Sequence, residues 1–198
     1  MRTKINSKCS HMRTFKRGIM DEAEYVIGKH CGVTFAGIKP ASLVSLHREG
    51  KDVMRFLAHK FRRRGFSFVV MRERRERIAV YVYHGEQLRG VLFSKEVREF
   101  LFSLGYRYGS AEEAVSQLRA RMQGDVFPHE VGVFLGYPLA DVRGFMADPH
   151  GGRLCGCWKA YGDETRAAKT FERYRRCSSS ICRMMQSGKS LAQIFGVG

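Results

Sequence analysis

Long hydrophobic runs are missing from this chain of 198 residues. None approaches the ~20 apolar residues that a helix needs to span a bilayer. The basic N-terminus lacks the apolar core of a secretory signal, so the expected location is the cytoplasm. No Walker pattern and no dinucleotide-type glycine triplet occurs, which leaves no phosphate cradle of either kind. The paired Cys-x-x-Cys spacing of zinc modules is absent. There is no internal repeat, and no low-complexity segment apart from the N-terminal tail. Acidic residues are scarce, 19 against 35 Lys and Arg, for a net charge of +16.

What the chain does have is enough apolar material for a core. Hydrophobic residues make up 44% and aromatics 12%, which argues against global disorder and for one domain. Its six cysteines are Cys9, Cys31, Cys155, Cys157, Cys177 and Cys182. A chain with a full core needs no disulfide staples, so they read as reduced thiols. Cys155 and Cys157 would share one face of a strand, as two metal ligands do. Cys177 and Cys182 lie five apart, about 140° around a helix, and cannot both face one ion. No metal site is expected.

The positive charge is concentrated. Residues 1–20 carry a net +6, residues 48–77 a net +7 and residues 166–183 a net +5, leaving a net −2 elsewhere. Such segments can neutralise phosphates, so nucleic acid or another polyanion is one candidate partner, through Arg62, Arg63, Arg64, Arg74 and Arg75. Arg62–Arg64 at a helix end also has a local reason, since cations favour the negative end of the helix dipole.

Residues 1–18 read as a basic flexible tail and residues 19–198 as a single α+β domain. Met20–His30 reads as a helix, followed by a loop at Gly32, Gly37 and Pro40. Ser42–His47 is a short strand, and Lys51–Arg64 a helix with Val53, Phe56, Leu57 and Phe61 on one side. Phe66–Arg72 and Arg77–His84 form an antiparallel pair, and the second, apolar on both faces, is a central strand. Ser94 and Ser110 cap helices reaching Leu104 and Gln123, with Ser110 and Glu113 spaced as a capping box. Glu130–Leu135 and Leu154–Tyr161 read as the fourth and fifth strands. Between them lies a helix with Leu139, Val142, Phe145 and Met146 inward. Asp163 caps the longest helix, whose inner face is Ala167, Phe171, Tyr174, Ser178, Ile181 and Met185. The expected architecture is a mixed sheet of about five strands with helices on its faces, and a ferredoxin-like βαββ element in the first half.

Three blocks hold the residues that could carry chemistry. In His30-Cys31 followed by Ala36-Gly37-Ile38-Lys39-Pro40, a thiol beside an imidazole can be drawn as nucleophile and base. Neighbouring side chains on a helix diverge by about 100°, and a helix C-terminus raises a thiol pKa, so a helix stop and turn is the plainer reading. In Phe127-Pro128-His129-Glu130, running to Gly136-Tyr137-Pro138, strand alternation sends His129 and Glu130 to opposite faces. The third block is Cys155-Gly156-Cys157-Trp158-Lys159.

Together these blocks, with Asp141-Val142, Gly144-Phe145 and Tyr161, resemble an uncharacterised bacterial family, domain of unknown function 3793. The similarity covers roughly residues 22–195 and implies a soluble bacterial protein with no established activity or cofactor. The resemblance also implies that an aromatic often stands where this chain has Cys157, which weakens a Cys-x-Cys metal site further.

The expected function is a non-catalytic or regulatory binding domain for a small ligand or a partner protein. Cys31, Lys39, His129, Glu130, Tyr137, Trp158 and Lys159 would converge at one end of the sheet. The rival is an enzyme with Cys31 as nucleophile and His129 as base.

Overall fold

The computed structural model describes residues 22–197 of the chain, and the basic tail expected at residues 1–18 lies outside them. The fold is α+β, with five strands in two sheets among the described residues. Strands β1 (Ala41–His47), β2 (Phe66–Glu73) and β3 (Arg77–His84) form an antiparallel sheet in the order β1-β3-β2. Helix α2 (Lys51–Phe61) crosses over between β1 and β2, which gives the expected βαββ element with β3 in the middle. The strands divide three and two instead of joining one mixed sheet, and every pairing is antiparallel.

Strand β3 is apolar on both faces because each face is covered by helices. Ile78, Val80 and Val82 enter one core with α1 (Glu22–Phe35), α2, α8 (Glu164–Gln186) and α9 (Leu191–Phe195). Tyr81 and Tyr83 enter a second core with α3 (Gly85–Leu92), α4 (Lys95–Ser103), α5 (Ala111–Arg121), α6 (Val131–Phe134) and α7 (Leu139–Ala147). The fully buried Tyr81 hydroxyl donates to the Phe134 carbonyl at 2.6 Å and ties α6 to the sheet.

Helix α1 runs to Phe35 instead of stopping near His30. Gly28 and Gly32, one turn apart, allow its close approach to α8: a Cβ at Gly28 would meet Met185 and one at Gly32 would meet Ile181. Their role is packing, and the helix ends at Gly37 (φ +70°). There Ile38 N donates to Val33 O and Gly37 N to Thr34 O, a Schellman closure.

The Glu130–Leu135 strand is not formed. Those residues make the single helical turn α6, closed in the same way: Tyr137 N donates to Gly132 O, Gly136 N to Val133 O, and Gly136 has φ +77°. A short apolar run has no polar face to reveal its period, and all four residues of this turn are buried. The run at Leu154–Tyr161 folds back on itself as a hairpin of β4 (Leu154–Cys155) and β5 (Lys159–Ala160).

Helix α3 has no counterpart in the sequence reading; His84 Nδ1 caps it by accepting from Gln87 N. Ser110 and Asp163 cap α5 and α8 as expected. The Glu113 carboxylate accepts from Gly109 N, one residue earlier than a capping box requires.

Burial on both faces makes a testable demand on two neighbours. Val80→Ala and Tyr81→Ala should each lower unfolding stability by about 2–5 kcal/mol in urea titrations. A sheet solvated on one face would leave one of the two within roughly ±0.5 kcal/mol of the parent.

Candidate functional site

Two turns meet at the site. The Schellman closure of α1 delivers Lys39 and Pro40 into β1, and that of α6 delivers Tyr137 and Pro138 into α7. Gly136 packs against the Pro40 ring, where an added Cβ would stand 2.5 Å from Pro40 Cδ and Cγ. Gly136 therefore serves both its left-handed backbone and the contact between the turns.

The β4–β5 hairpin packs beside them. Two residue pairs hold it, too few for independent stability. The Asp141 carboxylate on α7 supplies the anchor. Its Oδ1 accepts from Tyr161 N at 2.8 Å and Gly162 N at 2.9 Å, and its Oδ2 accepts from Trp158 Nε1 at 2.7 Å. Asp141 is buried, and these three donors compensate its desolvation. Held this way, the Trp158 indole stacks on Tyr137 at 4.8 Å between centroids and meets Phe171 edge-on at 4.5 Å.

Between α6, α7 and the hairpin lies a cavity of about 390 Å³. Its walls are mainly apolar and aromatic, with Phe127, Phe145, Tyr137 and Trp158 among them. His129 lies at this wall with its ring edge-on to Phe145 at 5.1 Å, and Cys157 and Lys159 complete it on the hairpin side. The Lys159 amine donates to the Pro149 carbonyl at 2.7 Å and to the His150 carbonyl at 3.3 Å.

Lys39 stands behind the Tyr137 wall. It is only 9% exposed, and among the described residues it has neither an ion-pair nor a hydrogen-bond partner. Its Nζ lies 5.5 Å from the Tyr137 ring centroid and 5.7 Å from that of Tyr174. Burial pushes the amine down to about 8, against a smaller upward pull from Cys31 and Cys157. Burial likewise pushes the Tyr137 and Tyr174 hydroxyls up to about 12.

His129, Tyr137, Trp158 and Lys159 thus share one cavity, and Lys39 backs onto it. Two residues expected there lie elsewhere. Glu130 is buried on the opposite side of the turn, accepting from Tyr106 Oη at 3.0 Å and Arg121 Nη1 at 3.4 Å. Cys31 is fully buried in the core against α8 and α2, and burial pushes its thiol up to about 12. It presents no thiolate and is absent from the cavity wall, so the Cys31–His129 pair considered from the sequence is not assembled there. The basic residues do not converge either. Arg62–Arg64 precede β2 and Arg74 and Arg75 follow it, about 25 Å apart along that strand.

Asp141, Phe145 and Phe127 were not singled out as site residues. For Asp141 the available signal was a lone acid beside Val142, on a helix whose other marked positions are apolar. No group of three or more His, Cys, Asp or Glu positioned for a metal ion occurs among the described residues, and no helix there is long and apolar enough to cross a membrane.

Residues 27–195 match the model of a family described as a protein of unknown function (DUF3793). The chain belongs to that family. No curated protein and no solved structure matches it significantly. DUF3793 therefore brings no named activity to this cavity, and its geometry has to carry the functional argument.

The unpartnered amine gives a pH signature. Unfolded, Lys39 titrates near its ordinary 10.5 and folded near 8, so between these values the unfolded state binds more protons. Stability should rise with pH across that window by up to roughly 3 kcal/mol. Lys39→Met should be the more stable protein in urea at pH 7, with its advantage shrinking towards pH 10. An advantage independent of pH would contradict the desolvated charge.

Proposed function

We propose that residues 19–198 form one non-catalytic binding domain whose ligand is a small, flat, largely apolar molecule held in the cavity between α6, α7 and the β4–β5 hairpin. The observation that carries this reading is the wall itself. A recess of about 390 Å³ lined by Phe127, Phe145, Tyr137 and Trp158 has the size and composition of a small-molecule pocket. A protein partner would favour a flat, extended surface, and the recess favours the small ligand. Aromatic walls reward a flat guest through offset and edge-on ring contacts.

The polar groups at the wall fit binding better than turnover. Asp141 is committed to three donors and Lys159 to two carbonyls. His129 has its ring set among those of Phe127 and Phe145. A cytoplasmic setting, in which Cys155 and Cys157 remain thiols, completes the reading.

Trp158 is the chain's one tryptophan, so its fluorescence reports the cavity directly. Titration with a neutral planar probe, 2-naphthamide, should change its emission saturably. Phe145→Ala should weaken that binding by about tenfold, through the lost apolar contact. A response that does not saturate, or that is the same in both proteins, would contradict a ligand site here.

A further inference from the structure

Resting on that binding reading, the positions of Lys39 and Lys159 say which flat molecule the cavity takes. We infer that its ligand is an anion, an aromatic or conjugated carboxylate whose negative charge supplies the counter-charge that buried Lys39 lacks within the described protein.

Four elements pack against Lys39: α1 with Cys31, the α6–α7 turn with Tyr137, the hairpin with Cys157, and α8 with Tyr174. None of them brings a carboxylate, and no ion pair to Lys39 occurs among the described residues. The residue is largely buried, but its amine is not sealed, since no fully buried side-chain nitrogen or oxygen among the described residues lacks a partner; two ring faces and restricted hydration compensate the charge only in part. Such a group is retained at a cost to the free protein, and an anion arriving beside it recovers that cost.

Tyr137 and Cys157 contact or face Lys39 on one side and line the cavity on the other. The amine, 5.5 Å from the Tyr137 ring centroid, therefore borders a residue that lines the cavity, and its charge is felt there at short range. Lys159 stands on the same wall, its amine turned to neutral carbonyls and to no carboxylate. The wall's one acid, Asp141, is saturated by Trp158, Tyr161 and Gly162. Two cations against one fully bonded carboxylate leave a positive apolar recess. Flat and negative is the guest it fits.

The test compares two probes of one ring system, 2-naphthoate and 2-naphthamide, titrated against the full chain and followed by Trp158 emission at pH 7.5. Naphthoate should bind tighter than naphthamide by about tenfold or more. Lys39→Met should erase that preference, and its naphthamide titration reports whether the variant's cavity is intact. If the variant fails to fold, the parent's own pH profile decides. Naphthoate affinity should fall as pH rises through about 8, where the free amine loses its proton, and naphthamide affinity should stay level. The facing thiols and phenols do not mimic this, because burial holds Cys31, Cys157, Tyr137 and Tyr174 above their ordinary ranges. Equal affinity for the two probes at every pH would overturn the anion inference and leave the cavity reading standing. Binding of neither probe would overturn both.

Discussion

A single buried carboxylate, that of Asp141, holds the walls of the cavity together. The β4–β5 hairpin has two residue pairs and cannot persist alone, yet it carries Cys157, Trp158 and Lys159. Asp141 grips it at three points, two backbone amides and the indole nitrogen, from a helix that lies on the other side of the recess. Charge-assisted bonds of this kind are short and directional, so they set the position of the indole as well as its presence. The cavity is the gap left between an anchored hairpin and the helix that anchors it. Remove the anchor and the wall loses its reason to stand where it does.

The anchor in turn depends on the two matched turns. Helices α1 and α6 end in the same Schellman closure; Ile38 and Lys39 separate Gly37 from Pro40 in the first, and Tyr137 alone separates Gly136 from Pro138 in the second. Contact between Gly136 and Pro40 locks these closures side by side. One consequence is that Tyr137, carried by the second turn, meets Lys39, carried by the first. Elements from the two faces of the sheet are joined here, since α1 belongs to one core and α6 to the other. The arrangement places a cation from one face against an aromatic wall built by the other. That juxtaposition gives the recess its electrostatic character.

Much of the scaffold was legible in the residues. The doubly apolar Arg77–His84 announced a central strand because both its faces are buried. Ser110 and Asp163 marked helix starts through local hydrogen bonds that need no tertiary context. The misreadings share one cause. Gly32 looks like a helix stop unless Ile181 is known to press on it. Val131–Phe134 looks like a strand unless its burial on every side is known. At the site, His129, Tyr137, Trp158 and Lys159 were legible as unusual residues at turns and element ends. Asp141 was not, because its importance lies wholly in what the hairpin donates to it. Cys31 was conspicuous as a thiol beside an imidazole, and the fold uses it as a small core hydrophobe.

Asp141 fixes the hairpin and its indole. Acrylamide quenching of the chain's one tryptophan, compared between the parent and Asp141→Asn, tests it most directly. Asparagine keeps the size but loses the charge, and turns an amide donor towards groups that themselves donate. The account predicts a partly shielded Trp158 in the parent and markedly stronger quenching in Asp141→Asn, with its helical circular dichroism intact. Equal quenching in two equally folded proteins would mean that the hairpin stands without this carboxylate, and the account of the site would be wrong.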